Sequence, residues 1–344
     1  MDNITTNFQL IFEQGNVQNY ISLFENNDSI FNDVHYPTGF KELDRTLNGG
    51  LTAGLTIIGA VSSLGKTTFT LQIADNVAHM GMPVLVFSLE MRPEHLLAKN
   101  MSRYMYECAL REGKHMICYA KSYSDLMKEE IRKKFSGEEL LLHKAAIKTS
   151  KGLEDNLVIL SKRADDRTFN IDDIVAFTKW YIKEKKKKPL VIIDYLQYIA
   201  PSRDTSSKSD KQNMDDVVGS LIDLAQTERI PVVAISSLSR AGYDKPVNME
   251  SFKESGSIEY SAETLIGLQF KGVGEKEFDI NEAKSRIPRD VELVLLKNRG
   301  SNVGNVINYK FYGKHNYFEE EGFCELSENV RTPFDEGCKQ IRIF

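Results

Sequence analysis

Residues Ala60 to Thr67, A-V-S-S-L-G-K-T, constrain this chain more than any other stretch. A short apolar run, Leu55-Thr56-Ile57-Ile58, precedes them, and an apolar periodic segment, Phe69, Leu71, Ile73, Ala74 and Val77, follows. Strand, tight loop and helix in that order form the setting of a phosphate-binding loop. Backbone N–H groups and the positive end of the helix dipole face the phosphates in such a loop. Gly65 lets the backbone come close because it has no side chain. Lys66 would reach the β- and γ-phosphates, and the Thr67 hydroxyl would ligate Mg²⁺. The nucleotide-contacting set is therefore Ala60, Ser62, Ser63, Leu64, Gly65, Lys66, Thr67 and Thr68. The strict pattern opens on Gly, whereas here Ala60 follows Gly59. A chance G-K-T at a helix start is the competing reading, and the flanking strand and helix weigh against it. The loop implies a nucleotide triphosphatase and says little about which one.

Two further apolar runs end in acids. Met82 to Glu90 reads as a buried strand with Glu90 at its carboxyl end, where an open α/β sheet would hold a catalytic base. A strand-end surface carboxylate is an equal reading from spacing alone. Pro189-Leu190-Val191-Ile192-Ile193-Asp194 is a second such strand, and apolar residues followed by Asp describe the strand that holds Mg²⁺ in phosphate-loop enzymes. Between them, residues 92–150 read as charged helices decorating a sheet, with isolated His95, His115 and His143 expected as surface or satisfied histidines rather than metal ligands. Asn170 caps a helix whose stripe is Ile171, Ile174, Val175, Thr178 and Ile182. That helix runs into Lys185 to Lys188, a run read first as a solvated end complementing the dipole and second as a nucleic-acid contact. A helix over 214–228, a strand over 230–235, two strands near 263–270 and 291–297, and a hairpin around Gly313-Lys314 complete the order. Pro37-Thr38 reads as a helix entry and Gly49-Gly50 as its stop. The sum is an α/β fold, a mostly parallel twisted sheet flanked by helices with antiparallel edge strands at its C-terminal end.

Composition narrows the class. With 344 residues, 41% of them apolar, the chain can bury a sizeable core. A net charge of −5 excludes a wholesale basic surface, so any nucleic-acid contact is local. Four widely spaced cysteines suggest neither a disulfide framework nor a zinc site, and a cytoplasmic, reducing setting is expected. No apolar run approaches the roughly 20 residues that span a bilayer, so no membrane partner is expected. Residues 1–35 carry amphipathic helical signals (Phe8, Ile11, Phe12, Tyr20, Leu23, Phe24) suited to packing on the main domain or docking on a neighbouring subunit. Residues 36–320 form the main domain, and 321–344 a tail.

With these segments placed, the chain resembles the ATPase domain of the DnaB family of hexameric replicative helicases, whose core is RecA-like. The motifs occur in order: P-T-G-F-K-E-L-D at 37–44, the phosphate loop with Gly59-Ala60, F-S-L-E-M at 87–91, I-I-D-Y-L-Q at 192–197, S-S-L-S-R at 236–240, K-E-S-G-S-I-E at 253–259 and K-N-R at 297–299. The resemblance implies Ala at the first loop position and Glu90 as the base that activates water. It implies ATP with Mg²⁺ on Lys66, Thr67 and Asp194, and a sensor group of Gln197, Ser237 and Arg240. It implies a DNA-binding loop with Lys253, Glu254 and Gly256, and Lys297 and Arg299 inserted into a neighbour's ATP site. Single-stranded DNA, a homo-oligomeric ring, most simply a hexamer, and a helicase loader or primase are the implied partners, with 5′ to 3′ movement.

Two departures stand out. The family's sensor carries Gln where this chain has Ser237, and Gln-Asp-Ala-Asp where it has Tyr260-Ser261-Ala262-Glu263. Only about 35 residues precede the core, so a minimal or mobile-element version is expected. The competing function is a RecA-like ring ATPase that remodels or loads a partner without unwinding.

Overall fold

The computed structural model describes residues 17–18, 21, 34–61, 63–161, 169–202, 208–238, 245–252, 261–300 and 304–321. The chain divides into two units, Met1–His35 and Tyr36–Phe344, and the description that follows is of the second. Nine strands form one sheet: β1 (Gly54–Ala60), β2 (Val84–Ser88), β3 (Leu157–Leu160), β4 (Leu190–Asp194), β5 (Pro231–Ser237), β6 (Thr264–Phe270), β7 (Arg289–Asn298), β8 (Val306–Tyr312) and β9 (Tyr317–Glu320). Their spatial order is β3-β2-β4-β5-β1-β6-β7-β8-β9. The first six are parallel and the last three run antiparallel. Strands β1, β2 and β4 are buried at every position, which is why they read as unbroken apolar runs: helices cover both faces of a parallel sheet. In β7 and β8 the burial alternates along much of the strand.

The helices are α1 (Lys41–Thr46), α2 (Lys66–His79), α3 (Pro93–Glu112), α4 (Gly137–Lys151), α5 (Ile171–Lys185), α6 (Asp210–Glu228) and α7 (Ile280–Ser285), with two single-turn helices between α3 and α4. Helix α1 begins later than its sequence entry signal. Asp44 accepts from the backbone N–H groups of Thr38 (2.6 Å) and Gly39 (3.1 Å), closing a turn that delays the helix to Lys41. Helix α6 starts earlier than expected, at Asp210, because Ser209 and Gln212 form a capping box.

Two long-range ties fix the phosphate-loop helix. On one side Asp75 of α2 is wholly buried and bonded by Arg103, by the Tyr104 hydroxyl (2.6 Å) and by Asn100 (2.9 Å), all on α3. On the other, Gln72 of α2 donates to the Phe318 carbonyl and accepts from the Phe318 N–H, both at 2.9 Å. The β8–β9 hairpin is thereby clamped onto α2, around packed rings of Phe40, Phe69, Tyr309 and Phe318. Glu320 at the hairpin's end accepts from the N–H groups of Glu42 (2.9 Å) and Leu43 (3.2 Å), capping α1 from 278 residues away.

His315, in the turn of that hairpin, is buried and stacks on Tyr106 at 4.5 Å between ring centroids. Burial, with Lys314 nearby, pushes its pKa down from 6.5 to about 4. An imidazole held neutral contributes stability that is full above pH 6.5 and lost as the pH falls through 4. His315→Phe keeps the stack and removes the proton. Relative to wild type, its Tm is expected to rise by a few degrees between pH 7.5 and pH 5. Thermal unfolding at the two pH values checks this; a difference that does not change with pH would refute it.

Candidate nucleotide site

The carboxyl ends of β1, β5, β4 and β2 lie side by side in that order, and each carries a residue singled out in the sequence. β1 delivers the phosphate loop at Ala60, β5 ends on Ser237, β4 on Asp194, and β2 leads to Glu90. Crevices at the carboxyl ends of a parallel sheet are where such folds bind ligands.

The loop's glycines divide the work. Gly65 has φ +83°, and a Cβ there would sit 2.7 Å from Phe311 Cζ, so conformation and space both require glycine. Gly59 lies in the strand, and a Cβ on it would fall 2.3 Å from Phe252 Cε1 and 2.6 Å from Leu238 Cδ2. Ala60, the departure from the strict pattern, is fully buried between Ser237 and Leu268 with room for its methyl. Lys66 Nζ donates to the Ala60 carbonyl at 2.8 Å, folding its charge back over the loop. Leu64 is buried, and Ser63 is exposed with φ +71°. The Ser63 carbonyl accepts from Arg289 Nη1 at 2.9 Å, so β7 braces the loop from the antiparallel side. Thr68 is buried and turns its hydroxyl towards Asn316 (3.5 Å) and Lys99 (3.5 Å). Ser62 lies outside the described residues, as do Arg240 and the loop residues Lys253, Glu254 and Gly256.

Asp194 is 2% exposed. Burial pushes its pKa up to about 6; the Thr67 hydroxyl, Lys66 and Lys99 lower it, and the Glu90 charge raises it. Neither carboxylate oxygen has a partner at hydrogen-bonding geometry among the described residues. A buried acid with both oxygens unbonded, beside a threonine hydroxyl, is a hard oxygen donor set that suits Mg²⁺. Glu90 is exposed, two residues beyond the end of β2. The strand stops short of it because Ser88 Oγ donates to the Met91 carbonyl at 2.7 Å, turning the chain outward. Leu89 N–H still donates to the Asp194 carbonyl at 2.7 Å, which fixes Glu90 beside the metal-binding candidate.

Gln197 joins the strand ends. Its amide nitrogen donates to Ser236 Oγ at 3.0 Å, and its oxygen accepts from the Ser237 N–H at 3.4 Å. The turn after β4 is thus bonded to the end of β5 although Ser237 lacks the family's long side chain.

Lys99 of α3 was not legible as a site residue. It lies within the charge field of Asp194 and Glu90, which raise its pKa, while burial has the larger effect and lowers it. Its ammonium donates to Asn316 Oδ1 at 3.3 Å and lies 5.6 Å from the centre of the Tyr123 ring. A half-buried lysine in the field of two site carboxylates is a candidate phosphate contact. Nothing local in the charged 92–150 stretch distinguishes it from its neighbours.

Arg299 and Lys297 are not near this loop. Arg299 follows β7, its N–H donates to the Glu263 carbonyl (3.2 Å), and its guanidinium pairs with the Glu263 carboxylate (3.1 Å). Glu263 N–H in turn donates to the Leu55 carbonyl (2.9 Å), at the amino end of β1. Lys297 pairs in register with Leu265 on β6.

Residues 36–320 match the sequence profile of the DnaB-like helicase C-terminal domain. The chain belongs to that family. It is 30% identical to the replicative DNA helicase DnaB of Geobacillus stearothermophilus over 328 residues, covering 93% of this chain and 62% of that one. It is 31% identical to the replicative DNA helicase DnaC of Bacillus subtilis over 286 residues, 82% of this chain and 56% of that one. It therefore spans about three-fifths of the length of these curated relatives. A solved ATPase domain superposes with a TM-score of 0.69 at 23% identity, covering 88% of this chain and 98% of that one. A DnaB-like replicative helicase studied with primase superposes at 0.67, also at 23% identity, covering 88% of this chain and 65% of that one. At that identity the two structures establish the DnaB-type, RecA-like fold. Among the described residues, no helix of this family member is long and apolar enough to cross a membrane.

Proposed function

We propose that this DnaB-family chain is an ATP-driven DNA helicase that works as a ring, most simply a hexamer, and moves along single-stranded DNA in the 5′ to 3′ sense that the family resemblance implies. The observation that carries it is the split of the site. The loop, Glu90 and Asp194 gather at the carboxyl ends of the strands, while Arg299 stands at the opposite end of β1. Each ATP then lies between two subunits. Lys66, Thr67 and Asp194 hold nucleotide and Mg²⁺, whose charge would offset that of the phosphates. Lys99 adds a second cation from α3. Glu90 orients the attacking water and takes its proton. Arg299, with Lys297, enters from the neighbour and meets the charge that develops on the γ-phosphoryl. The segment with Lys253, Glu254 and Gly256 tracks the strand through backbone and phosphate contacts, which need only a local positive groove. A primase or a loader is the further partner proposed, since one structural neighbour is a helicase described with primase.

Ser237 favours a second reading, a ring ATPase that remodels a protein partner, because a serine is too short to relay the state of the γ-phosphate across the sheet. ATP hydrolysis per subunit, measured against protein concentration with and without single-stranded DNA, separates the two. The helicase reading expects turnover to climb with concentration and DNA to raise it further. A rate that climbs with concentration but ignores DNA would leave the remodelling ring.

A further inference from the structure

We infer that the exposed face of α5 is a second binding site for single-stranded nucleic acid, remote from the nucleotide site. The chain's single tryptophan, Trp180, stands on that helix 51% exposed, its ring tilted against that of Phe177 at 5.3 Å between centroids. A large ring left in solvent forgoes a burial that most tryptophans make. Near it stand six exposed lysines: Lys183, which shares its face with Glu184 one turn on, Lys179 beside it in sequence, and Lys185 to Lys188 at and beyond the helix end. Among the described residues none of the six is paired with a carboxylate. Glu184 is the one acid within this stretch, and Asp173, the nearest acid towards the other end of the helix, is about 10.5 Å along it from Trp180 at 1.5 Å per residue.

The helix dipole accounts for only part of this. Lys183 and Lys185 lie in the last turn, where a cation is stabilising. Lys186 already has φ +54° and ends the helix, so the lysines after it lie beyond the last turn. They hold a fixed course, because the Lys188 carbonyl accepts from the Tyr36 hydroxyl at 2.7 Å before the chain enters β4. Neither dipole nor packing explains an exposed indole among these charges. Lysines that follow a phosphate backbone around one aromatic face are what sequence-independent single-strand binding uses: the charges track the strand and a base stacks on the ring. The site is separate from the nucleotide crevice, because Lys188 and Asp194 lie at opposite ends of β4, about 20 Å apart at 3.3 Å per residue.

Trp180 reports its own occupancy, since no other indole emits. The full chain without nucleotide is titrated with an oligothymidylate of about 20 bases, and tryptophan emission is followed at two salt concentrations. We expect quenching that saturates and an affinity that falls with salt, with a logarithmic slope of about −0.7 per phosphate contact. Lys183→Glu with Lys187→Glu should weaken the quench at least about tenfold and flatten that slope by about 1.4. The same variant should keep its ATP turnover within about twofold, a reading that both confirms the fold and separates this site from the proposed motor. Absence of quenching, or quenching that the charge reversal leaves unchanged, would overturn the proposal. So would an inorganic polyphosphate that quenches as well as the oligonucleotide, since it has no base to stack. A blue shift of emission on concentrating the protein alone would assign the face to a second copy of the chain instead.

Discussion

Arg299→Ala is expected to lower ATP turnover by about 10³- to 10⁵-fold while leaving nucleotide binding intact. The expectation rests on the register of the sheet. Arg299 is bonded to Glu263, and Glu263 to Leu55, so the guanidinium stands level with the start of β1. The phosphate loop begins at Ala60, roughly 17 Å further along the strand at 3.3 Å per residue. A side chain anchored there serves a γ-phosphoryl group only in another copy of the chain. The pair with Glu263 costs little to leave: it is exposed, 53% on the arginine and 31% on the glutamate, and such pairs contribute about 0–1 kcal/mol. Mixing gives the decisive measurement. Lys66→Ala subunits keep the arginine and lose the loop cation; Arg299→Ala subunits do the reverse. In a one-to-one ring, roughly a quarter of the interfaces regain both groups by random pairing, and activity should return in proportion. If Arg299 acted within its own chain, mixing would restore nothing.

How much of this was legible before the fold depended on distance along the chain. The phosphate loop could be read because its parts are contiguous: a strand, Gly65, Lys66 and Thr67, then a helix. Glu90 and Asp194 could be read as acids ending apolar runs, because parallel strands buried on both faces leave no polar residue before their ends. What the runs did not reveal is where a strand stops. Met82 to Glu90 shrank to Val84–Ser88 because a side-chain bond from Ser88 to Met91 breaks the ladder. The long-range groups had no local signal. Glu320 caps a helix at residue 42, Gln72 bonds Phe318, and Arg289 braces Ser63, each across more than 200 residues. Lys99 becomes distinctive only when α3 folds across α2 and brings it to Thr68, Asn316 and the two carboxylates. His315, unremarked in the sequence, is buried by the same hairpin. Family resemblance supplied Arg299, and only the sheet register explains why it cannot reach its own loop.

Glu90→Gln is expected to lower turnover by about 10²- to 10⁴-fold, the contribution of a positioned general base. Gln keeps the size and the hydrogen-bonding reach of Glu90 and removes its proton-accepting charge. The surrounding geometry makes the outcome specific. Glu90 sits beyond the strand end, outside the set of Lys66, Thr67 and Asp194 that would hold nucleotide and metal, so its loss should leave binding of a fluorescent ATP analogue within a few-fold of wild type. Asp194→Asn is the contrasting variant. That carboxylate is buried beside the Thr67 hydroxyl, and among the described residues neither oxygen has a partner at hydrogen-bonding geometry, so its substitution should weaken Mg²⁺-dependent nucleotide binding itself. Glu90 also raises the pKa of Asp194 from its side of the crevice. Removing the Glu90 charge therefore favours the ionised form of Asp194, and metal-dependent binding should hold or improve slightly in Glu90→Gln at pH 6. Measured together, hydrolysis and binding distinguish a base from a ligand. A Glu90→Gln protein that loses nucleotide affinity along with turnover would place Glu90 among the metal-binding groups, and the proton would need another acceptor.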